Sequence, residues 1–124
     1  MITIYPNIKS MSPLFVVADL ERSLDFYIRE LGFEIDFRYE DFYAGIIRDI
    51  YTVHLKCGDP DGNEQVSNAE NEHLDLYFSV EDIDTLFESM KNRPVNIVQP
   101  LREMPYGREF YITDPDGYIL GFLE

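Results

Sequence analysis

The chain has no tryptophan, one cysteine and few cations: 10 Lys and Arg stand against 24 Asp and Glu in 124 residues. The lone Cys57 excludes an intrachain disulfide and fits a reducing compartment. Formal net charge is −14, which excludes the phosphate-neutralising chemistry of a nucleic-acid binder and disfavours an anionic membrane surface. The same charge favours solubility and is compatible with a cationic, polyamine-like ligand. No apolar run approaches the roughly 20 residues needed to span a bilayer. The opening MITIYPNIKS lacks the basic-then-apolar pattern of an export signal. A cytoplasmic protein is the expectation. Hydrophobic residues make up 45% of the chain, enough to build the core of one domain spanning 1–124.

What is present is stated twice. LFVVADLERSLDFYIRELGFEI, from Leu14, and LYFSVEDIDTLFESMKNRPVNI, from Leu76, each read as a short apolar strand, an acidic cap, an amphipathic helix and a second strand. Val17-Ala18-Asp19 falls on Val80-Glu81-Asp82, an offset of 63 residues. Leu20, Leu24, Tyr27, Ile28 and Leu31 lie on one face of the first helix, and Ile83, Leu86, Phe87 and Met90 on one face of the second. Asp19 and Asp82 are the expected N-caps, and Gly32 the expected left-handed C-cap. FEIDFRY alternates, with Phe33, Ile35, Phe37 and Tyr39 on one face; FYAGIIRD and YTVHLKC complete the first half, and VNIV, GREFYIT and YILGFLE the second. Module one is read over about 10–58, a polar linker over about 59–72 and module two over about 73–124. The expected architecture is α+β: two paired β-α-β-β-β modules forming a curved mixed sheet with a concave cavity inside and helices outside.

VVADLERSLDFYIRELGFEI near the start and REFYITDPDGYILGF at the end together resemble the vicinal oxygen chelate superfamily, which includes glyoxalase I, fosfomycin resistance proteins, extradiol dioxygenases and bleomycin resistance proteins. The resemblance covers about residues 10–124. It implies the paired modules, a cavity and often a homodimer.

Metal-binding members of that superfamily place His, Glu or Gln ligands on four strands. Carried onto this chain, those places fall on Ser12, His54, Asp75 and Gly121. Glycine offers no donor and a neutral hydroxyl is a poor one. His54 and Asp75 alone fall short of the three protein ligands a catalytic site normally keeps. The expectation is a site without metal or other cofactor, in which His54 and Asp75 contact each other or an organic ligand.

Aromatic residues are abundant, at 15% of the chain, and Phe37, Tyr39, Tyr77 and Phe110 occupy strand positions able to line a cavity. Tyr106 and Arg108, in MPYGREF, are candidates for its rim, with Arg108 either the cation near an acidic pocket or the partner of an acid. His73 has the parity of Asp75 but sits at the strand entrance, where a surface role is expected. Cys57 reads as a packing or partly exposed thiol. DPDGNEQVSNAE, residues 59–70, places acids and Asn as in a calcium loop, but Glu64 stands where that loop needs Gly, and a polar linker is the better reading.

The leading expectation is therefore a metal-free small-molecule-binding protein of the glyoxalase/bleomycin resistance type, forming a homodimer and taking an aromatic or cationic compound. A glyoxalase-like lyase or dioxygenase with a degenerate metal site is the first alternative. A protein-interaction module is the second.

Overall fold

The computed structural model describes residues 2–58 and 74–124. The linker, its calcium-loop-like pattern and His73 lie outside the described residues. The order is β1 (Leu14–Val17), α1 (Leu20–Leu31), β2 (Glu34–Tyr39), β3 (Tyr43–Arg48), β4 (Tyr51–Cys57), then β5 (Leu76–Ser79), α2 (Ile83–Lys91), β6 (Asn96–Met104), β7 (Gly107–Thr113) and β8 (Ile119–Leu123). The strands make two four-stranded mixed sheets, ordered β1-β4-β3-β2 and β5-β8-β7-β6. In each sheet the first strand of the module pairs in parallel with the last, and the other pairs are antiparallel. The internal repeat thus survives as topology. No helix of the described residues is long and apolar enough to cross a membrane.

Helix α1 forms where the 3.6-residue spacing of Leu20, Leu24 and Tyr27 buries one stripe. Ile28 falls off that stripe and is exposed. The Asp19 carboxylate accepts from the Arg22 amide at 3.2 Å, capping the start. Gly32 ends the helix at φ 75°, and its amide bonds the Ile28 carbonyl. Helix α2 departs from expectation. Asp82 sits in the left-handed region and caps nothing with its side chain. The Glu124 carboxylate does so instead, accepting from the amides of Asp82 and Ile83, each at 2.9 Å.

Two strands also differ from the simple alternation. A register shift between Ile35 and Phe37 divides β2, so Ile35 lies opposite Ile46 while Phe37 lies opposite Gly45. The stretch read as VNIV extends through Pro100 to Met104. Proline is tolerated because β6 is an edge strand, and the pairing with β7 shifts around it.

The core lies between the helices and the helix-facing side of the sheets. It includes Phe15, Val17, Ile46, Val53 and Leu55 from module one and Phe110, Ile112, Leu120 and Phe122 from module two. Phe110, a sequence candidate for the cavity, is fully buried here, its ring 5.1 Å from Phe87 and 5.0 Å from Phe122. The modules are clasped by the β7–β8 turn. Tyr118 stacks on Phe15 at 4.4 Å and donates its hydroxyl to the Val16 carbonyl. Asp116 accepts from Ala18, Arg22 and Ser23, and buried Asp114 accepts from the Tyr27 hydroxyl at 2.7 Å.

Candidate functional site

Side chains alternate across a strand, so the residues next to the core residues point to the sheet face turned away from the helices. On module one this face carries Phe37 and Tyr39 from β2, Tyr43 and Gly45 from β3, and His54 from β4, joined by the pairings Tyr39–Tyr43, Phe37–Gly45 and Gly45–His54. On module two it carries Tyr77 from β5, Glu109 and Tyr111 from β7, and Gly121 from β8. Leu14 pairs with His54, and Tyr77 with Gly121. Since Leu14 and Tyr77 are 63 residues apart, His54 and Gly121 hold equivalent places in the two sheets.

Each module has packed a ring over a glycine. A Cβ on Gly45 would lie 2.2 Å from Cε2 of Phe37, and a Cβ on Gly121 would lie 2.7 Å from Cδ1 of Tyr77. Module one thereby gathers a cluster of rings. Phe37 meets the His54 imidazole edge-on at 5.2 Å and stacks near Tyr43 at 6.0 Å, with Tyr39 at 5.7 Å. The His54 Nδ1 and the Tyr43 hydroxyl are 2.8 Å apart and hydrogen-bonded. Tyr39 remains exposed at the edge of this cluster.

Module two gathers its rings around a charge. Glu109 is fully buried, yet it accepts from the hydroxyls of Tyr77 at 2.6 Å, Tyr111 at 2.8 Å and Tyr106 at 3.1 Å. Arg102 adds Nε at 3.0 Å and Nη2 at 2.7 Å. Burial alone would push the Glu109 carboxyl up; the donated hydrogen bonds outweigh it and hold the group below the usual glutamate range. Burial and the neighbouring carboxylate push the Tyr77 and Tyr111 phenols upward, so both remain donors at neutral pH. The result is a module-two sheet face that shows aromatic rings while the charge of Glu109 is met by three phenols and Arg102.

The residues singled out by sequence fall into this arrangement unevenly. Phe37, Tyr39, His54, Tyr77, Tyr106 and Gly121 all belong to the two clusters. The Ser12 hydroxyl bonds the Thr52 hydroxyl. His54 and Asp75 do not contact each other, the first of the two arrangements expected: Asp75 Oδ2 accepts from the Ile119 amide at 2.8 Å, prolonging the β5–β8 ladder, while His54 bonds Tyr43. Arg108 makes two 2.7 Å bonds to Asp84 of α2, so it belongs to the helix side and the aromatic face takes Arg102. Cys57 is half-buried, its thiol directed at the Ala18 carbonyl. Tyr43, Arg102, Glu109 and Tyr111 were not singled out by sequence. The available signal was the parity of Glu109 and Tyr111 in GREFYIT, opposite to that of Arg108 and Phe110.

At the four places where metal-binding members of the resembled superfamily carry ligands, this chain's side chains are otherwise engaged or absent. Ser12 and Asp75 have the partners just given, His54 commits one ring nitrogen to Tyr43, and the space beside Gly121 is filled by Tyr77 and Leu74. Among the described residues no three His, Cys, Asp or Glu converge on a point. This donor set does not fit a divalent ion held as in those relatives.

The family model of the Glyoxalase/Bleomycin resistance protein/Dioxygenase superfamily matches residues 11–122. A bleomycin resistance protein of Geobacillus stearothermophilus is 28% identical over 126 residues, covering 90% of this chain and 93% of the relative. A lactoylglutathione lyase of Neisseria meningitidis serogroup A is 29% identical over 118 residues, covering 87% and 84%. Among solved structures, the bleomycin-binding protein of bleomycin-producing Streptomyces verticillus, complexed with copper(II)-bleomycin, superimposes with a TM-score of 0.66 at 25% identity, covering 94% of this chain and 97% of that one. With the two β-α-β-β-β modules and a match spanning nearly every described residue, the chain belongs to the glyoxalase/bleomycin resistance protein/dioxygenase superfamily.

Proposed function

We propose that the protein is a metal-free, cytoplasmic binder of a small organic molecule, aromatic or cationic, received on the ring-lined sheet faces. One observation carries the reading. The place equivalent to His54 in the second module is a glycine covered by the Tyr77 ring, so a stacking surface stands where a metal ligand would project. The rings of Tyr39, Tyr77 and Tyr106 are exposed, and stacking on such rings suits a planar ligand. A cationic ligand gains further from the ring faces and from a chain of charge −14. Relatives named for bleomycin resistance, and a similar structure complexed with copper(II)-bleomycin, support small-molecule binding without naming this protein's ligand.

The functional unit is a homodimer. Leu14, Ile35, Phe42 and Val98 leave apolar surface exposed apart from the ligand-stacking rings, and a second copy is the economical cover. Light scattering at micromolar concentration is expected to give twice the chain mass; a monomer overturns this part.

The test of function is elemental analysis of untagged protein together with a calorimetric screen of planar aromatic cations. No stoichiometric Ni²⁺, Zn²⁺, Mn²⁺ or Fe²⁺ and a saturable ligand whose affinity falls in Tyr39→Ala and Tyr77→Ala are expected. Stoichiometric metal with lyase or dioxygenase turnover overturns the reading in favour of an enzyme. A protein partner that co-purifies while no small molecule binds overturns it in favour of an interaction module.

A further inference from the structure

On the helix side of the molecule, away from the aromatic faces, a groove of about 590 Å³ separates the C-terminal end of α1 from β5 and α2. Its volume falls within the range of small-molecule sites, about 300–1,000 Å³. Phe33, Phe78, Leu86, Met90 and Phe122 give it an apolar floor. Arg29, Arg48 and Arg93 reach its walls. Three of the chain's seven arginines therefore meet at one groove of a strongly acidic protein.

Two of these three differ from every other arginine. Arg22, Arg29, Arg38, Arg102 and Arg108 each pair with a carboxylate. Arg48 and Arg93 pair with no carboxylate among the described residues, although Glu30, Asp49 and Glu81 also border the groove. They are held by neutral oxygens instead. Arg48 Nη1 donates to the Gly32 carbonyl at 3.0 Å, and Arg93 Nη1 to the Glu30 carbonyl at 2.6 Å. Arg93 Nε and Nη2 both reach Ser89 Oγ, at 3.2 and 2.7 Å. Closing the end of α1 accounts for the bonds to Gly32 and Glu30, Ser89 of α2 orients Arg93, and donors are left over: a guanidinium has five N–H groups, of which Arg48 commits one and Arg93 three. Among the described residues the two cations are thus held by neutral oxygens, with no acid paired to either.

We propose that this groove is a second binding site, for a small amphipathic anion: a carboxylate carried on an aliphatic or aromatic body. The carboxylate bonds the spare N–H groups of Arg48 and Arg93, for which paired guanidiniums are the preferred protein partners. The body lies over Phe33, Phe78 and Leu86. This site goes beyond the ligand reading above, since it lies on the opposite side of the sheets and selects the opposite charge.

Decanoate is the probe, titrated calorimetrically at low ionic strength beside decanol. One saturable site per chain is expected, with decanol weaker by about tenfold or more, the equivalent of one charged contact. Arg48→Gln and Arg93→Gln should each weaken decanoate severalfold and the double variant remove measurable binding. Leu86→Trp, which fills the groove, should do the same without a change of charge. Lys56→Gln, which removes one cation from the exposed opposite face of β4, should leave decanoate binding intact. Thermal melts accompany each variant, and exposed Arg48→Gln decides alone if Arg93→Gln fails to fold. Absence of saturable binding, equal affinity for decanol, an Arg48→Gln protein that binds like the wild type, or an equal loss in Lys56→Gln each overturns the proposal.

Discussion

The ring of Tyr77 lies across Gly121, with its Cδ1 only 2.7 Å from where a Cβ on that residue would stand, while its hydroxyl is tied to Glu109 at 2.6 Å. The emptiness of residue 121 is therefore filled by a neighbour, and the neighbour is held at its far end. Gly121→Ala forces the ring outward and strains the Tyr77–Glu109 bond. Overpacking of this kind costs about 1–3 kcal/mol. Denaturant unfolding should show that loss, and affinity for a planar ligand should fall with it.

Gly45→Ala is the matched experiment in the first module, where the clash with Phe37 is closer, at 2.2 Å. Displacing Phe37 also disturbs its contacts with Tyr43 and His54. A loss at least as large as that of Gly121→Ala is expected by the same measurement.

Glu109→Gln removes the charge that three phenols and Arg102 address. Breaking a buried hydrogen-bonded charge pair costs about 3–5 kcal/mol, and the partial exposure of Arg102 places the expected value at the lower end. The pH dependence has a definite sign. The Glu109 carboxyl is depressed in the folded state, so its contribution is fully present above the unfolded value of about 4.3 and is lost as pH falls through the folded value. The stability gap between wild type and Glu109→Gln should therefore narrow in acid. A gap that widens on acidification contradicts the geometry.

Tyr27→Phe deletes the hydroxyl bound to buried Asp114. Burial pushes the Asp114 carboxyl up, while the Tyr27 bond and two backbone amides pull against that rise. Without the phenol, the ionised carboxylate is worse off by about 1.5–3 kcal/mol. A raised acid favours the folded state only while protonated, and that advantage is lost as pH rises through the folded value. The variant should thus be most destabilised at neutral pH and less so in mild acid, as urea titrations at pH 7 and pH 4 can measure.

Glu124→Ala leaves the first amides of α2 without their acceptor. A lost N-cap costs about 1 kcal/mol. Asp82→Ala should cost less through capping, since the Asp82 side chain makes no cap bond. Parallel thermal melts of the two variants distinguish them.

The order of elements was legible because it is written twice, and the helical periods of Leu20–Tyr27 and Ile83–Met90 needed no tertiary knowledge. What escaped the sequence depended on partners far along the chain. Asp82 has the right chemistry for a cap, but its own backbone turns left-handed and Glu124, 42 residues on, takes the role. Ile35 and Phe37 share a parity in the sequence, and one register shift separates them in space. Arg108 and Glu109 are neighbours, so reading the face of one wrongly reverses the other. Phe110, read as a cavity-lining residue, has the parity of Arg108, so that reading left Glu109 and Tyr111 on the other face. His54 and Asp75 carry complementary chemistry, yet each found a nearer partner in its own sheet.

The clasp of Tyr118 on Phe15 sets a limit on how this molecule comes apart. Each half carries its own sheet and helix, but part of the wall enclosing Phe15 is furnished by a residue 103 positions later. Neither half owns a finished interior. Separate fragments covering the two modules should be poorly structured alone and become ordered when mixed. In the intact chain, the slowest-exchanging amides of both halves should open together with one free energy, making the duplicated sequence a single cooperative unit.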